Sequence, residues 1–263
     1  MQTETEPRSS LDSPTKLDRA VVPNEVESRW LLNLYPDAAE AGGCLVSPAR
    51  PWWGRNPAEP DEDRSASEAI RRARGAIRRY CAANRLNRLG TLTYRPPGCT
   101  DPVRFRSDLR SFFRRLHGSV GEPYPYLWVP EWHPGGHGLH AHFVVGRYIR
   151  QRAIETAWGL GFVDIRMLSN LPVGSGSLGE ARLAAWYLAK YVGKDLGAGA
   201  DAGLHRYDVA QGFRPAVRRL RGATFEDVLA QAAAIMGGPP VSVWDSAHEP
   251  SWDRPHAVWA RWA

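Results

Sequence analysis

The sequence comprises 263 residues, of which 43% are apolar, and it carries a formal net charge of +6 at pH 7. This length and apolar content suffice for one good-sized domain with tails or for two small domains. No run of about 18 uncharged apolar residues occurs and the first residues are polar, so we expect neither a membrane span nor a secretion signal.

The charged and sulfur-containing residues narrow the class further. Cys44, Cys81 and Cys99 are odd in number and widely spaced, which favours a reducing cytoplasm over a disulfide framework or a cysteine-type zinc site. The net positive charge favours a polyanionic partner. Only three of the 34 basic residues are lysines, and Lys190 and Lys194 lie four residues apart. This pair stands out because Lys and Arg are not interchangeable where a compact charge is needed.

Composition divides the chain into three parts. Residues 1–62 are rich in Pro, Glu, Asp and Ser and are expected to form a poorly structured N-terminal extension. Residues 63–197 show regular periodicity and are predicted to form the functional domain, with an Arg-rich helix at its start. Residues 198–263 are expected to form a C-terminal extension, in which a helix over 224–236 precedes a Trp- and Pro-rich tail.

An arginine-rich helix is predicted at the start of the central part. Ser65 and Glu68 match a capping box, which indicates a helix beginning at Ser65. Apolar residues then recur at helical spacing, and the other face is crowded with arginines that include Arg71, Arg74 and Arg78. That face is either simply solvated or in contact with nucleic acid.

The middle of the chain alternates between strand and helix patterns. In chain order, the predicted elements are a strand over 88–94, a helix after Asp101-Pro102, a β-hairpin over 126–145, a helix near 150–158, a strand over 162–167 and a helix over 180–195. The order β-α-β-β-α-β followed by α is typical of an α+β, ferredoxin-like (split βαβ) antiparallel sheet with helices on one face.

The hairpin carries a possible metal site. With the turn at Gly135 and Gly136, Glu131 is predicted to lie opposite His140. The side chain of His142, two residues further on, leaves the same face of the sheet. Two imidazoles and one carboxylate would then suit a divalent ion, although alternating histidines on a strand are also common as ordinary polar residues. His133 and His137 in the turn could substitute as ligands or contact a phosphate.

The last predicted helix carries a second chemical motif. Residues four apart share a helix face, so Tyr187 stacks over Tyr191 and Lys190 over Lys194. The tyrosines alone would suit a core stripe, but burial of the neighbouring lysines would be costly. A phenol beside ammonium groups can instead act as a nucleophile toward a phosphodiester, because positive charge favours the phenolate.

These motifs together resemble the HUH endonuclease superfamily, and more narrowly the rolling-circle replication initiators of plasmids and phages, including the filamentous-phage type. The resemblance covers residues 86–196 and places Ala141, smaller than the usual apolar residue, between the histidines. Similarity to the three motifs of the family is carried by Thr91–Tyr94, by His140-Ala141-His142, and by Tyr187-x-x-Lys190-Tyr191-x-x-Lys194.

The resemblance implies a cytoplasmic enzyme that nicks and rejoins single-stranded or hairpin origin DNA through a 5′-phosphotyrosine. Tyr187, Tyr191, Lys190 and Lys194 would be catalytic. Glu131, His140 and His142 would hold Mg²⁺ or Mn²⁺, and DNA contacts are expected from Arg71, Arg74, Arg78 and Thr93. No phosphate-binding loop of an ATPase occurs, so a host helicase and polymerase would be separate partners.

Two alternatives differ from this interpretation. One is a non-catalytic RRM-like module that binds nucleic acid through exposed aromatic rings and arginines. The other is a transposase or relaxase of the same superfamily, with the same chemistry. Relaxases more often carry the tyrosine before the histidines, whereas here the tyrosines follow them. Neither a membrane nor a small-molecule substrate is expected in any of these cases.

Overall fold

The computed structural model describes residues 29–47, 62–133, 135–136, 138–167, 176–193 and 205–263. The strands are β1 (Arg29–Tyr35), β2 (Glu40–Val46), β3 (Arg88–Tyr94), β4 (Tyr126–Trp132), β5 (Leu139–Val145), β6 (Gly161–Met167), β7 (Asp208–Val209), β8 (Arg218–Gly222), β9 (Ser242–Asp245) and β10 (Ala257–Arg261). The α-helices are α1 (Glu62–Ala83), α2 (Pro102–Val120), α3 (Gln151–Trp158), α4 (Gly176–Ala189) and α5 (Phe225–Met236).

A five-stranded antiparallel sheet forms the centre of the protein, with the strand order β6-β3-β5-β4-β7. Its first four strands have the order of a split βαβ unit, so the predicted ferredoxin-like α+β class is confirmed. Helices α2 and α3 cover one face of this sheet, where Phe105, Phe112 and Trp158 pack against Trp128 and Phe143.

The other face of the central sheet is also covered, by α1 and α4. Ile77 of α1 and Ala184 of α4 are fully buried against Leu127 and Val144 of the sheet. The expectation of helices on one face therefore holds for α2 and α3 but leaves out this second layer. The layer forms because α1 has an apolar stripe and α4 presents small alanines that allow close approach to the strands.

A second five-stranded antiparallel sheet joins both ends of the described chain, with the order β8-β1-β2-β10-β9. Trp30, Leu32 and Leu34 alternate inward on β1 and pack with Val228 of α5. At Gly43 a Cβ atom would lie 2.1 Å from the Leu31 carbonyl oxygen, so the close approach of β1 and β2 requires glycine.

The expectation of a poorly structured N-terminal extension is therefore wrong for residues 29–46, which form β1 and β2. The C-terminal part contains strands β8, β9 and β10 besides the predicted helix. Residues 1–28 and 48–61 lie outside the described ranges, and the three-part division of the chain stays a prediction.

Most helix boundaries follow the predicted caps. The Asp101 side chain accepts a hydrogen bond from the Val103 amide at the start of α2, and Thr224 and Asp227 form a capping box at α5. Ser65 does not cap α1, which already begins at Glu62. Helix α4 begins before the predicted Glu180. No helix in the described part of the chain is both long and apolar enough to cross a membrane.

Charged side chains connect the second sheet to the helices of the central domain. Glu40 of β2 is 3% exposed and accepts two hydrogen bonds from Arg78 of α1, at 2.7 and 3.0 Å. Arg79 adds a third contact to the Glu40 carboxylate at 3.5 Å. On α4, Arg182 donates to the carbonyl oxygens of Ala39 at 3.1 Å and Trp262 at 3.0 Å. These bonds fix α1 and α4 against the second sheet.

We predict that Glu40→Gln lowers the free energy of unfolding by about 1.5–3 kcal/mol, because a buried charged acceptor of two arginine bonds is lost. Urea denaturation measures the change. Glu122→Gln is the matched control, since the Glu122 carboxylate also contacts an arginine at 2.6 Å but is 66% exposed. Exposed pairs of this kind contribute about 0–1 kcal/mol. Equal losses in the two variants would contradict the connecting role of Glu40.

Candidate functional site

The pairing of β4 with β5 places the predicted ligands on one face of the central sheet. Glu131 lies directly opposite His140, as predicted from the turn, and Val129 lies opposite His142. On the other side of β5, Thr91 of β3 is the partner of His142. This face is the one covered by α1 and α4, because its neighbouring residues Leu127 and Val144 pack against those helices.

Hydrogen bonds hold the ring of His142 at both nitrogens. Its Nε2 atom lies 2.7 Å from the Glu131 carboxylate and its Nδ1 atom lies 3.1 Å from the Thr91 hydroxyl. A neutral ring satisfies both contacts when Nε2–H donates to Glu131 and Nδ1 accepts from Thr91. Although Glu131 lies opposite His140, its carboxylate thus reaches diagonally to His142.

His140 is held in a parallel way. Its Nδ1 atom lies 3.2 Å from the hydroxyl of Thr93, and its ring stacks on that of His133 with 4.6 Å between centroids. Thr93, predicted to contact DNA, is therefore placed as a partner of a histidine. Threonine hydroxyls at both Nδ1 atoms fix the ring orientations, as partners of metal-binding histidines commonly do. His137 lies outside the described residues.

The two tyrosines lie beside His142. The Tyr191 ring stacks on the His142 ring with centroids 4.1 Å apart, and the Tyr187 ring lies at 6.4 Å. The Tyr191 hydroxyl donates to the Tyr187 hydroxyl at 2.9 Å. Tyr187 lies in the last turn of α4, and Tyr191 begins the 3₁₀ turn Tyr191–Gly193. Both side chains are half-buried rather than part of a sealed core.

Burial, the hydrogen bond to Tyr187 and the negative charge of Glu131 raise the pKa of the Tyr191 hydroxyl, while Arg166 acts in the opposite direction. Tyr191 is therefore held as a protonated hydrogen-bond donor at neutral pH. A donor at this position would stabilise negative charge on the oxygen of Tyr187.

The positive charges near the tyrosines differ in part from the predicted set. The Lys190 ammonium lies 3.7 Å from the ring centre of Trp186 and 5.5 Å from that of Tyr187, while Lys194 lies outside the described residues. Arg166 of β6 was not predicted, yet its guanidinium lies 6.0 Å from the ring centre of Tyr187. The alternation of β6, which puts Arg166 opposite Leu89, is the signal that could have found it.

The residue types at this face fit a divalent cation. One carboxylate and two imidazoles suit ions such as Mn²⁺ or Zn²⁺, and carboxylate oxygen suits Mg²⁺. The described residues contain no preformed cluster of three or more His, Cys, Asp or Glu side chains arranged for a metal, and Glu131 is instead bonded directly to His142. Ion binding by this set would replace that hydrogen bond.

The predicted DNA-binding arginines lie on α1, away from the histidines. Arg71 is exposed, Arg74 donates to the Ala189 carbonyl at the end of α4 over 3.2 Å, and Arg78 is bonded to Glu40. Sequence reasoning did not foresee this last contact, because Glu40 was assigned to an extension without regular structure.

Fold and side-chain arrangement thus define a ferredoxin-like α+β domain with a Glu-His-Tyr cluster on its sheet. Residues 87–196 match a family model described as a replication-associated protein, of the ORF2 type. The matched segment runs from β3 to the tyrosines and supports a replication-associated protein of the initiator type. No match to a curated protein or to a solved structure reached significance.

We predict that Thr91→Val shifts the tautomer of His142 toward the form protonated at Nδ1, because Nδ1 loses the hydroxyl that donates to it. Long-range proton–nitrogen NMR of the histidine rings measures this shift. Thr100→Val, at an exposed position, serves as the control and leaves the His142 signals unchanged. An identical His142 tautomer in Thr91→Val and the wild-type protein would show that Thr91 does not orient the ring.

Proposed function

We propose that this protein initiates rolling-circle replication by nicking single-stranded origin DNA and rejoining it through a 5′-phosphotyrosine. One observation carries the proposal: the hydroxyl-bonded pair Tyr187 and Tyr191 lies against His142, which is itself bonded to Glu131. A nucleophile and a set of phosphate-activating ligands thus occupy the same face of one sheet. The match to a replication-associated family over 87–196 supports the same reaction class.

The reaction exchanges one phosphodiester for another. A tyrosine hydroxyl attacks the scissile phosphorus and loses its proton to solvent or a basic group, while the bond from phosphorus to the 3′ oxygen breaks. The released 3′ oxygen takes up a proton and becomes a free hydroxyl, which a host polymerase can extend. Because the new bond is also a phosphodiester, the reverse reaction rejoins the ends without ATP.

The hydrogen bond between the tyrosines supports Tyr187 as the first nucleophile. Tyr191 donates to the Tyr187 oxygen at 2.9 Å, and a hydrogen bond to the charged form of a group favours that form. Arg166 and Lys190 flank the Tyr187 ring and would also favour the phenolate. Tyr191, which burial keeps protonated, would be available for a second transfer.

Glu131, His140 and His142 would hold Mg²⁺ or Mn²⁺. When bound there, the ion polarises the scissile phosphate and neutralises charge that develops on it. Thr91 and Thr93 keep the histidine rings in position through the Nδ1 atoms. Lys190, Arg166 and the predicted Lys194 would supply further positive charge around the reacting phosphate.

A non-catalytic module that binds nucleic acid is the second candidate. It is favoured by exposed aromatic rings close to the same face, since Phe162 is 64% exposed and Trp186 is 60% exposed. Phe162 is the β6 partner of Thr93. Such rings stack on bases without cutting the strand, so the two candidates differ in cleavage rather than in binding.

We predict that Tyr187→Phe combined with Tyr191→Phe abolishes covalent adducts with an origin oligonucleotide, because both phenols that contact His142 are then removed. Of the single variants, Tyr187→Phe is expected to lose more adduct than Tyr191→Phe. Denaturing gel electrophoresis with labelled DNA detects the adduct. Tyr148→Phe, which changes a 72% exposed tyrosine, is the control. Undiminished adduct in the double variant would refute the assignment of the nucleophile.

We predict that a metal chelator stops nicking while single-strand binding persists, and that added Mg²⁺ or Mn²⁺ restores cleavage. Anisotropy of a labelled strand follows binding, and gel mobility follows cleavage in the same samples. The His142→Ala variant should bind DNA but not regain cleavage with added ion. Binding that is unaffected by chelator, with no cleavage under any condition, would instead support the non-catalytic module.

A further inference from the structure

A groove of about 680 Å³ runs between α1 and the second sheet. One wall is the helix face that carries Arg71, Arg72, Arg74, Arg78 and Arg79. The described residues that line the groove include no Asp or Glu. The buried Glu40 is paired with Arg78 and Arg79, so a single carboxylate faces five arginines and the wall keeps a surplus of positive charge.

The other wall is the face of the second sheet that α5 does not cover. Strand pairing brings Asn33, Gly42, Trp259 and Trp244 into one row across β1, β2, β10 and β9. Gly42 and Ala257 are small, which leaves open space beside the tryptophan rings. Trp259, Trp244 and a third lining tryptophan, Trp252, are all only partly buried.

Arginine and aromatic side chains already contact each other across the groove. The Arg78 guanidinium lies 5.0 Å from the ring centre of Trp259, and that of Arg79 lies 4.7 Å from the ring centre of Tyr35. Trp244 and Trp252 meet edge to face at 5.2 Å. Rings and cations are thus held in place by neighbours on both walls before any ligand binds.

Positive charge interleaved with partly exposed rings is the chemistry that binds single-stranded nucleic acid, with phosphates on the cations and bases on the rings. A duplex would satisfy the arginines, but its paired bases offer no free face to tryptophans inside a groove. Charge complementarity and the aromatic lining therefore favour a single strand over both duplex DNA and an acidic protein segment.

The groove is continuous with the helix that carries the tyrosines. Arg74 lines the groove and also donates to the carbonyl of Ala189, at 3.2 Å. Ala189 lies between Tyr187 and Tyr191 in the chain. A strand that leaves the tyrosines can therefore pass over Arg74 into the groove without crossing the central sheet.

We propose that this groove is a second DNA site, which holds a single strand adjacent to the cleaved phosphate by stacking on Trp244 and Trp259 and by phosphate contacts to Arg71 and Arg74. That the strand is the one cleaved by the tyrosines rests on the proposed function. Binding of single-stranded DNA by the groove does not, and it can be measured without cleavage.

The test uses the full chain with Tyr187→Phe and Tyr191→Phe, so that no adduct forms, and labelled oligodeoxythymidine as the probe. Trp244→Leu is expected to weaken binding roughly 5- to 150-fold, the range for loss of one stacked base, while Trp244→Phe keeps most of the affinity. Arg71→Ala is expected to make the slope of log affinity against log salt shallower by about 0.7, for one lost phosphate contact.

Arg110→Ala is the matched control, because Arg110 is an exposed arginine on α2, which covers the opposite face of the central sheet. Equal affinity and salt slope in Arg71→Ala and Arg110→Ala would overturn the proposal, and this comparison decides even if Trp244→Leu does not fold. A duplex that binds as tightly and is weakened by the same substitutions would overturn the single-strand assignment.

The two proposals fail separately. Loss of affinity in the groove variants, together with a protein that forms no adduct when its tyrosines are intact, would leave the groove standing and remove the nicking reaction. Adduct formation by the intact protein, together with groove variants that bind like the Arg110→Ala control, would remove the groove and leave the nicking reaction standing.

Discussion

The register between β4 and β5 is the constraint on which the candidate site depends. Glu131 pairs with His140 and Val129 with His142, so the carboxylate and both imidazoles leave the same face of the sheet. Because side chains alternate with a period of two, a slip of one residue would send Glu131 to the opposite face. The buried neighbours Leu127, Val129 and Val144 prevent such a slip, since they would leave the core formed with α1 and α4.

The second layer of helices turns this sheet face into a site. Helix α4 packs on α1 through small residues and ends with Tyr187 beside His142. Helix α1 is in turn fixed to the second sheet by Arg78 and the buried Glu40. The position of the phenols thus depends on contacts that extend from the central sheet through two helices to strands formed by both ends of the described chain.

Local patterns explain what the sequence could predict. The turn at Gly135-Gly136 and the alternation around it were sufficient for the hairpin register, and Asp101 and Thr224 marked the helix starts at which they act as caps. The second sheet could not be found in the same way, because β1 pairs with β8 across most of the chain length and such pairing leaves no local period.

Site details show the same limit. The shared face of the ligands followed from strand geometry, but the diagonal bond from Glu131 to His142 depends on side-chain reach. Arg166 escaped prediction because its proximity to Tyr187 requires β6 and α4 to be placed together. Arg78 was predicted to face DNA, yet its strongest contacts are to Glu40, a residue that only the folded second sheet brings near.

The central claim is that a phenol of the tyrosine pair becomes bonded to the 5′ side of a cut DNA strand. Peptide mapping of the trapped protein–DNA adduct by mass spectrometry tests it most directly. The account predicts a 5′-phosphate linked to Tyr187 or Tyr191 and a free 3′-hydroxyl on the released strand. An adduct on any other residue, or one joined through a 3′-phosphate, would contradict it.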